Sequence, residues 1–139
     1  MLSLTPDVLA GIIAHARREA PIEACGYLAE RRDGVIDTVY PLTNADASPE
    51  HFRLLPAEQF AAVRAMRQDG RGLRAVYHSH PASPARMSDE DIRLAADRSL
   101  NYVIVSLAGP RPVVKAFTVG DRVEEVAITV LGRPAGEKP

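Results

Sequence analysis

His78 and His80, two residues apart and followed at once by Pro81, share one stretch of sequence with Asp91, eleven residues beyond His80. In extended backbone, side chains two positions apart project from the same face, so both imidazoles can converge on one ion while Ser79 points away. A loop over residues 82–87 is long enough to fold back and return Asp91, in the first turn of a following helix, to that ion. Two neutral imidazole nitrogens and a carboxylate make a three-ligand zinc site, with the fourth tetrahedral position left for water. Zinc lowers the pKa of such a water from about 15.7 to about 7, so hydroxide becomes available near neutral pH. Each part has a plainer explanation too. A His-x-His pair on a strand is more often exposed or hydrogen-bonded than metal-bound. Ser88-x-x-Asp91 matches a capping box, in which the serine oxygen accepts a backbone N–H and the acid reaches back. The conjunction favours the metal: strand, proline, loop and helix start follow in order, with two of the four histidines among them.

A metal-activated water needs a proton acceptor, and Glu23 offers one. It sits in Ile22-Glu23-Ala24-Cys25-Gly26, between Pro21 and an apolar strand; taken alone, it is equally a solvated loop acid. Cys25 could serve chemically as a ligand or nucleophile. With no second thiol in the chain, it reads as a small buried residue. His15 and His51 read as structural or surface residues, with His51 also placed to lie along a substrate groove.

The elements that must position these groups alternate between helix and strand. Thr5-Pro6-Asp7 supplies an N-cap, a first-turn proline and a first-turn acid, and Leu9, Ile12, Ile13 and Ala16 then share a helical face. That helix should end near Pro21. Residues 26–40 read as a hairpin turning at Asp33-Gly34, and residues 43–53 as polar and irregular. A second helix from Pro56 should turn Phe60, Val63 and Met66 inward and end at Gly70 and Gly72. The strand Leu73–Tyr77 then runs into the histidines. A third helix is expected from Ser88 to about Arg98, with Ile92, Ala95 and Ala96 buried. The β-branched run Tyr102–Leu107 suits a central buried strand. Two more strands follow, over 113–119 and 123–131, separated by a turn at Gly120-Asp121.

Bulk properties exclude more than they assign. A chain of 139 residues, 46% hydrophobic and 25% charged, is long enough for one sizeable core. A net charge of -1 gives no electrostatic reason to bind nucleic acid or an anionic membrane. A single cysteine cannot form an internal disulfide, and Asp7 interrupts the short apolar run at the amino terminus, so a cytoplasmic protein is expected.

Glu23, His78-Ser79-His80-Pro81 and Ser88-Asp89-Glu90-Asp91 together resemble the JAMM motif of the JAB1/MPN/Mov34 (MPN+) metalloproteases, in its short prokaryotic form. The likeness extends to Glu23-Ala24-Cys25-Gly26-Tyr27-Leu28, to the approach from Phe52-Arg53 to Glu58, and to Tyr102–Leu107 with the two strands after it. It therefore covers nearly the whole chain. The resemblance implies an α/β (α+β) fold of cytidine-deaminase-like architecture, in which a curved mixed central β-sheet is flanked by about three helices. One domain over residues 1–131 and a flexible tail over 132–139 are expected.

By the same resemblance, His78, His80 and Asp91 would hold one Zn2+ per chain. Glu23 would be the general base that passes its proton on, and Ser88 would stabilise the tetrahedral oxyanion. The reaction implied is hydrolysis of a peptide or isopeptide bond after the C-terminal glycines of a ubiquitin-like protein. Small bacterial members resemble processing enzymes for sulfur carriers, whose extended tail could be held by strand addition near Thr43–Arg53. Asp89 and Glu90 depart from the uncharged pair common in such members; they suit a helix first turn and add negative charge near the mouth. Two other readings stay open. A non-catalytic MPN-like scaffold would typically have lost ligands that this chain keeps. A nucleoside-deaminase type of zinc hydrolase would need His-x-Glu and Pro-Cys-x-x-Cys, both absent here. A homodimer is left open as the assembly.

Overall fold

The computed structural model describes residues 1–132. Apart from Gly132, the tail expected over 132–139 lies outside the described residues. Thr5 caps the first helix as its sequence predicts: its hydroxyl oxygen accepts the Val8 N–H at 3.3 Å, Pro6 opens the helix, and α1 runs over Pro6–Glu19. Eight strands form one mixed sheet: β1 (Leu2–Leu4), β2 (Cys25–Glu30), β3 (Ile36–Leu42), β4 (Gly72–His80), β5 (Asn101–Ser106), β6 (Val113–Val119), β7 (Val123–Val126) and β8 (Ile128–Val130). Their order is β7-β6-β5-β4-β2-β3-β1-β8. The helices α2 (Pro56–Gln68) and α3 (Asp89–Leu94) follow β3 and β4 respectively. The expected curved mixed sheet with three helices is what the chain forms.

The expected last strand over 123–131 is divided. Only Ala127 separates β7, which pairs with β6, from β8, which pairs with β1 at the opposite end of the strand order. The sheet must therefore curl until its two edges approach. The Leu2 N–H donating to the Ala127 carbonyl at 2.8 Å marks the join. Leu2–Leu4, too short a run to announce a strand, becomes β1 because β3 and β8 offer it ladders on either side.

Both faces of the sheet are covered. On one side Val8 and Ile12 of α1 pack on Leu2, Leu4, Leu28, Ile36, Tyr77 and Val103; on the other, Met66 of α2 packs with Tyr27, Val76, Tyr102, Ile104 and Phe117. Burying each such side chain stabilises the fold by about 1.5–3 kcal/mol. Every residue of β5 is buried, as its continuous apolar run predicts for a central strand. Along β4, Ala75 and Tyr77 face α1 and Val76 faces the α2 side. Strict alternation then places His78 and His80 on the α2 side as well.

Two expected faces are corrected. Phe60 is 73% exposed. Ala62 and Met66 are the buried residues of α2, and Phe60 lies about 200° round the helix from Ala62. The third helix ends at Leu94 rather than Arg98, where Ala95 leaves helical geometry at ψ 70°. Ile92 and Ala96 are exposed and only Ala95 of the expected set is buried, because α3 is held by its capped N-terminus and not by an apolar face.

Gly26 is where β2 crosses the Tyr77 ring. A Cβ there would lie 2.5 Å from the Tyr40 carbonyl oxygen and 2.6 Å from the Tyr77 hydroxyl. Because the carbonyl belongs to a paired strand and cannot give way, Gly26→Ala should destabilise the protein by about 1–3 kcal/mol, read as a lower midpoint in denaturant.

Tyr77 also meets the buried His15, whose Nδ1 lies 2.7 Å from the phenolic oxygen. Burial holds the His15 pKa below its ordinary 6.5, helped by Arg18 and opposed by Glu19. Folded His15 thus stays neutral where the unfolded chain already takes up a proton, so stability is complete above about pH 6.5 and falls as the pH drops below it. The melting temperature of His15→Gln should accordingly fall less than that of the wild type between about pH 7 and 5.

Candidate metal centre

The metal-binding candidates stand at the end of β4, between β2 and β5. Pairing of Cys25 with His78, and of His80 with Ser106, makes both histidines part of the strand itself rather than of the loop after it. Both are buried. The loop after Pro81 is folded back by three bonds: the Ser106 hydroxyl donates to the Ser83 carbonyl at 2.6 Å, the Leu107 N–H donates to the His80 carbonyl at 3.0 Å, and His80 Nδ1 meets the Pro84 carbonyl at 2.8 Å. Since a carbonyl can only accept, Nδ1 carries the His80 proton and Nε2 presents its lone pair. Ala85 and Met87 are buried and pin the loop to the α2-side core.

Ser88 then caps α3, its Oγ accepting the Asp91 N–H at 3.0 Å while its own N–H donates to Asp91 Oδ2 at 3.0 Å. The capping box and the metal-ligand alternative prove compatible. The same carboxylate that closes the box reaches His78 Nε2 at 3.2 Å through Oδ1 and His80 Nε2 at 3.0 Å through Oδ2. The Ser88 hydroxyl accepts in the cap, so its hydrogen stays free to donate outward.

The three donor groups close on one another, with His78 Nε2 and His80 Nε2 themselves 3.1 Å apart. The 3.1 Å between the two imidazole nitrogens approaches the roughly 3.3 Å edge of a tetrahedron with zinc bonds of about 2.0–2.1 Å, and each nitrogen has an Asp91 oxygen of its own at 3.0–3.2 Å. Burial lowers the His78 pKa, which favours the neutral, ligating form. His80 is also pulled down by burial, but its bonds to Asp91 and Pro84 outweigh that and leave it raised. Asp91 is desolvated too, yet the two histidines hold it far below the ordinary carboxylate range. Phe52 stacks on the His78 ring at 4.9 Å between centroids and shields that face from water.

Glu23 belongs to no helix or strand. The Ser79 N–H donates to the Ala24 carbonyl at 2.9 Å and so continues the β2–β4 ladder one step beyond Cys25 and His78, which sets Glu23 abreast of His80. The residue is 3% exposed, and Oε1 has no hydrogen-bond partner among the described residues. Burial pushes the carboxyl up to about 8, opposed by His80 and reinforced by Asp91, Glu90 and Glu50. The solvated-loop-acid alternative therefore does not describe it. A buried carboxylate without a partner is costly, and a divalent cation among His78, His80 and Asp91 would supply the missing positive charge. On donor set, spacing and orphaned acid, these residues fit a zinc ion.

The other candidates fall elsewhere. Cys25 is fully buried and burial pushes its thiol up to about 12, so it is neither thiolate ligand nor nucleophile. His51 pairs with Asp46 at 3.1 Å and, with Phe52, Met87, Glu90 and Leu94, lines a small cavity beside His78 and Asp91. Residues 43–53 form no strand, and the sheet edges are β7 and β8. A tail added by strand pairing would thus find no ladder within that segment. Asn44 and Ser79, two polar residues given no task by the motif, both bond the backbone around Glu23.

The curled mixed sheet with its three helices is the fold of JAB1/MPN domains. A JAB1/MPN domain protein from Archaeoglobus fulgidus shares the fold at TM-score 0.66 and 21% identity, over 94% of this chain and 97% of that one. The chain belongs to the prokaryotic homologs of the JAB domain, whose family model matches residues 5–120. A solution structure from Desulfitobacterium hafniense is similar at TM-score 0.88 and 48% identity, over 97% of this chain and 96% of that one. Among curated relatives, the CysO-cysteine peptidase of Mycobacterium tuberculosis is 37% identical over 87% of this chain and 84% of its own length. The probable TtuB-protein conjugate cleaving protease of Thermus thermophilus is 40% identical over 85% and 75% respectively.

Proposed function

We propose that this protein is a zinc-dependent peptidase that hydrolyses a peptide or isopeptide bond after the C-terminal glycines of a ubiquitin-like sulfur-carrier protein. The observation that carries the reading is the convergence of His78, His80 and Asp91 beside a buried carboxyl with no partner. The names of the two curated relatives support the substrate class, one being a CysO-cysteine peptidase and the other a probable TtuB-protein conjugate cleaving protease. In this reading one zinc is held per chain by His78 Nε2, His80 Nε2 and the Asp91 carboxylate. When bound, zinc supplies a Lewis acid that lowers the pKa of water and polarises a carbonyl.

The chain's own groups do the rest. Glu23 takes one proton from the attacking water and gives it to the departing amine as the C–N bond breaks, while the water oxygen and its second hydrogen end on the carboxyl product. The free hydrogen of the Ser88 hydroxyl donates to the oxyanion of the tetrahedral intermediate. No covalent bond to the protein forms. The Pro84 carbonyl fixes the His80 tautomer, and Phe52 keeps solvent off His78. The reading places the enzyme in the cytoplasm; among the described residues, no helix is long and apolar enough to cross a membrane.

The test uses sulfur-carrier proteins bearing a single-residue C-terminal extension, incubated with the zinc-loaded enzyme and followed by intact mass. Loss of the mass of the added residue is the expected result. Carriers that remain intact with every extension tried, while zinc is bound, would exclude this substrate class.

A further inference from the structure

Among the described residues, Glu23 is held by its peptide groups alone. A carboxyl buried without a partner gains free energy by rotating into water, and residue 23 lies outside any ladder that would fix its backbone. What opposes that rotation is a set of bonds on either side. The Glu23 N–H donates to the Ser48 carbonyl at 2.9 Å, and the Glu23 carbonyl accepts from Asn44 Nδ2 at 3.1 Å. The N–H of that same Glu23–Ala24 peptide is fixed from β4, where Ser79 Oγ accepts it at 2.8 Å.

Asn44 does more than close one bond. Its amide nitrogen also donates to the His51 carbonyl at 2.9 Å and lies 3.4 Å from the Ser48 carbonyl, while its Oδ1 accepts the N–H groups of Asp46 at 3.1 Å and Arg53 at 3.2 Å. One side chain thus folds residues 44–53 and ties the folded loop to the peptide of Glu23. That loop carries both Ser48, the partner of the Glu23 N–H, and Phe52, which stacks on His78.

We infer that Asn44 is a positioning residue for Glu23, holding the carboxyl in the site through the backbone of residue 23. This rests on Glu23 being the proton acceptor, and the test separates the two claims. Asn44→Ala should lower kcat on a sulfur-carrier protein with a one-residue extension by on the order of 10- to 100-fold, as expected of a misplaced reacting group. KM should stay within about threefold and bound zinc should be unchanged. In the metal-free protein, hydrogen exchange at the Glu23 amide should rise, because its acceptor Ser48 is released with the loop.

The decisive comparison is the double-mutant cycle with Glu23→Gln. If Asn44 acts through Glu23, Asn44→Ala should cost less than about twofold once the acid is gone. Multiplied losses, lost zinc or an unchanged kcat for Asn44→Ala would each overturn the inference. Near-normal activity of Glu23→Gln would instead overturn the reading on which it rests. Asn44→Asp keeps the size and the Oδ1 contacts but loses the donor facing Glu23, and it carries the same cycle if the alanine variant does not fold. Failure of both variants to fold would assign Asn44 to the fold alone and overturn the proposal.

Discussion

His78→Ala or Asp91→Ala is expected to remove bound metal and hydrolysis together, with metal content falling to near zero by elemental analysis and turnover to the uncatalysed background. The three candidate ligand residues approach one another at 3.0–3.2 Å, one Asp91 oxygen meeting each imidazole, and two remaining donors would leave the ion with water on half of a tetrahedral shell. The variants should differ in a second respect. His78 lies under Phe52 at the end of a paired strand, so alanine there opens a gap in packing. Asp91 also closes the capping box of α3, so its loss releases the Ser88 N–H and frays a helix that has no buried face. Chelator followed by zinc should restore the wild type and neither variant. Stoichiometric zinc with full activity in either variant would remove that residue from the site.

Glu23→Gln is expected to fold, bind zinc and lose roughly 10²-fold or more of its turnover. Glutamine matches the size of the side chain but cannot accept the proton. The substitution also removes a buried carboxyl whose Oε1 has no partner, so the variant should melt at the wild-type temperature or above it. The sign of the pH effect follows from the raised pKa. In the metal-free protein Glu23 titrates at about 8 rather than at 4.5. The folded state therefore binds more protons across that interval, and stability falls as the pH rises through it. Glu23→Gln should flatten that decline in metal-free samples, as thermal melts at a series of pH values would show. An active Glu23→Gln, or one that has lost its zinc, would take the proton-accepting role away from this residue.

Much of the site was legible because it is local. A period of two on a strand, a proline stop and a capped helix start are written in consecutive residues, and they place His78, His80 and Asp91 without knowledge of the rest. Glu23 was legible as a type in an odd place, but not as a buried group. The segments that bond its backbone, β4 and the 44–53 loop, are both distant in sequence. Asn44 gave no signal of its own, since an asparagine in a polar segment is what any loop contains, and its five contacts exist only once that loop has closed. Phe60 misled for the opposite reason. Apolar residues at helical spacing suggest a buried stripe, but a stripe that meets the sheet through Ala62 and Met66 leaves the residue two before Ala62 in solvent.

The sequence by itself determined the alternation of helix and strand, the three candidate donor residues and the cap that orients one of them, because each is decided by backbone preferences and spacing within about a dozen residues. Only the tertiary structure decided that β7 and β8 go to opposite ends of the strand order, that Leu2–Leu4 becomes a strand, and that Glu23 stands buried and unpaired abreast of His80. Strand partners and the desolvation of a carboxyl depend on which distant segments arrive beside it, and local chain preferences carry no record of that.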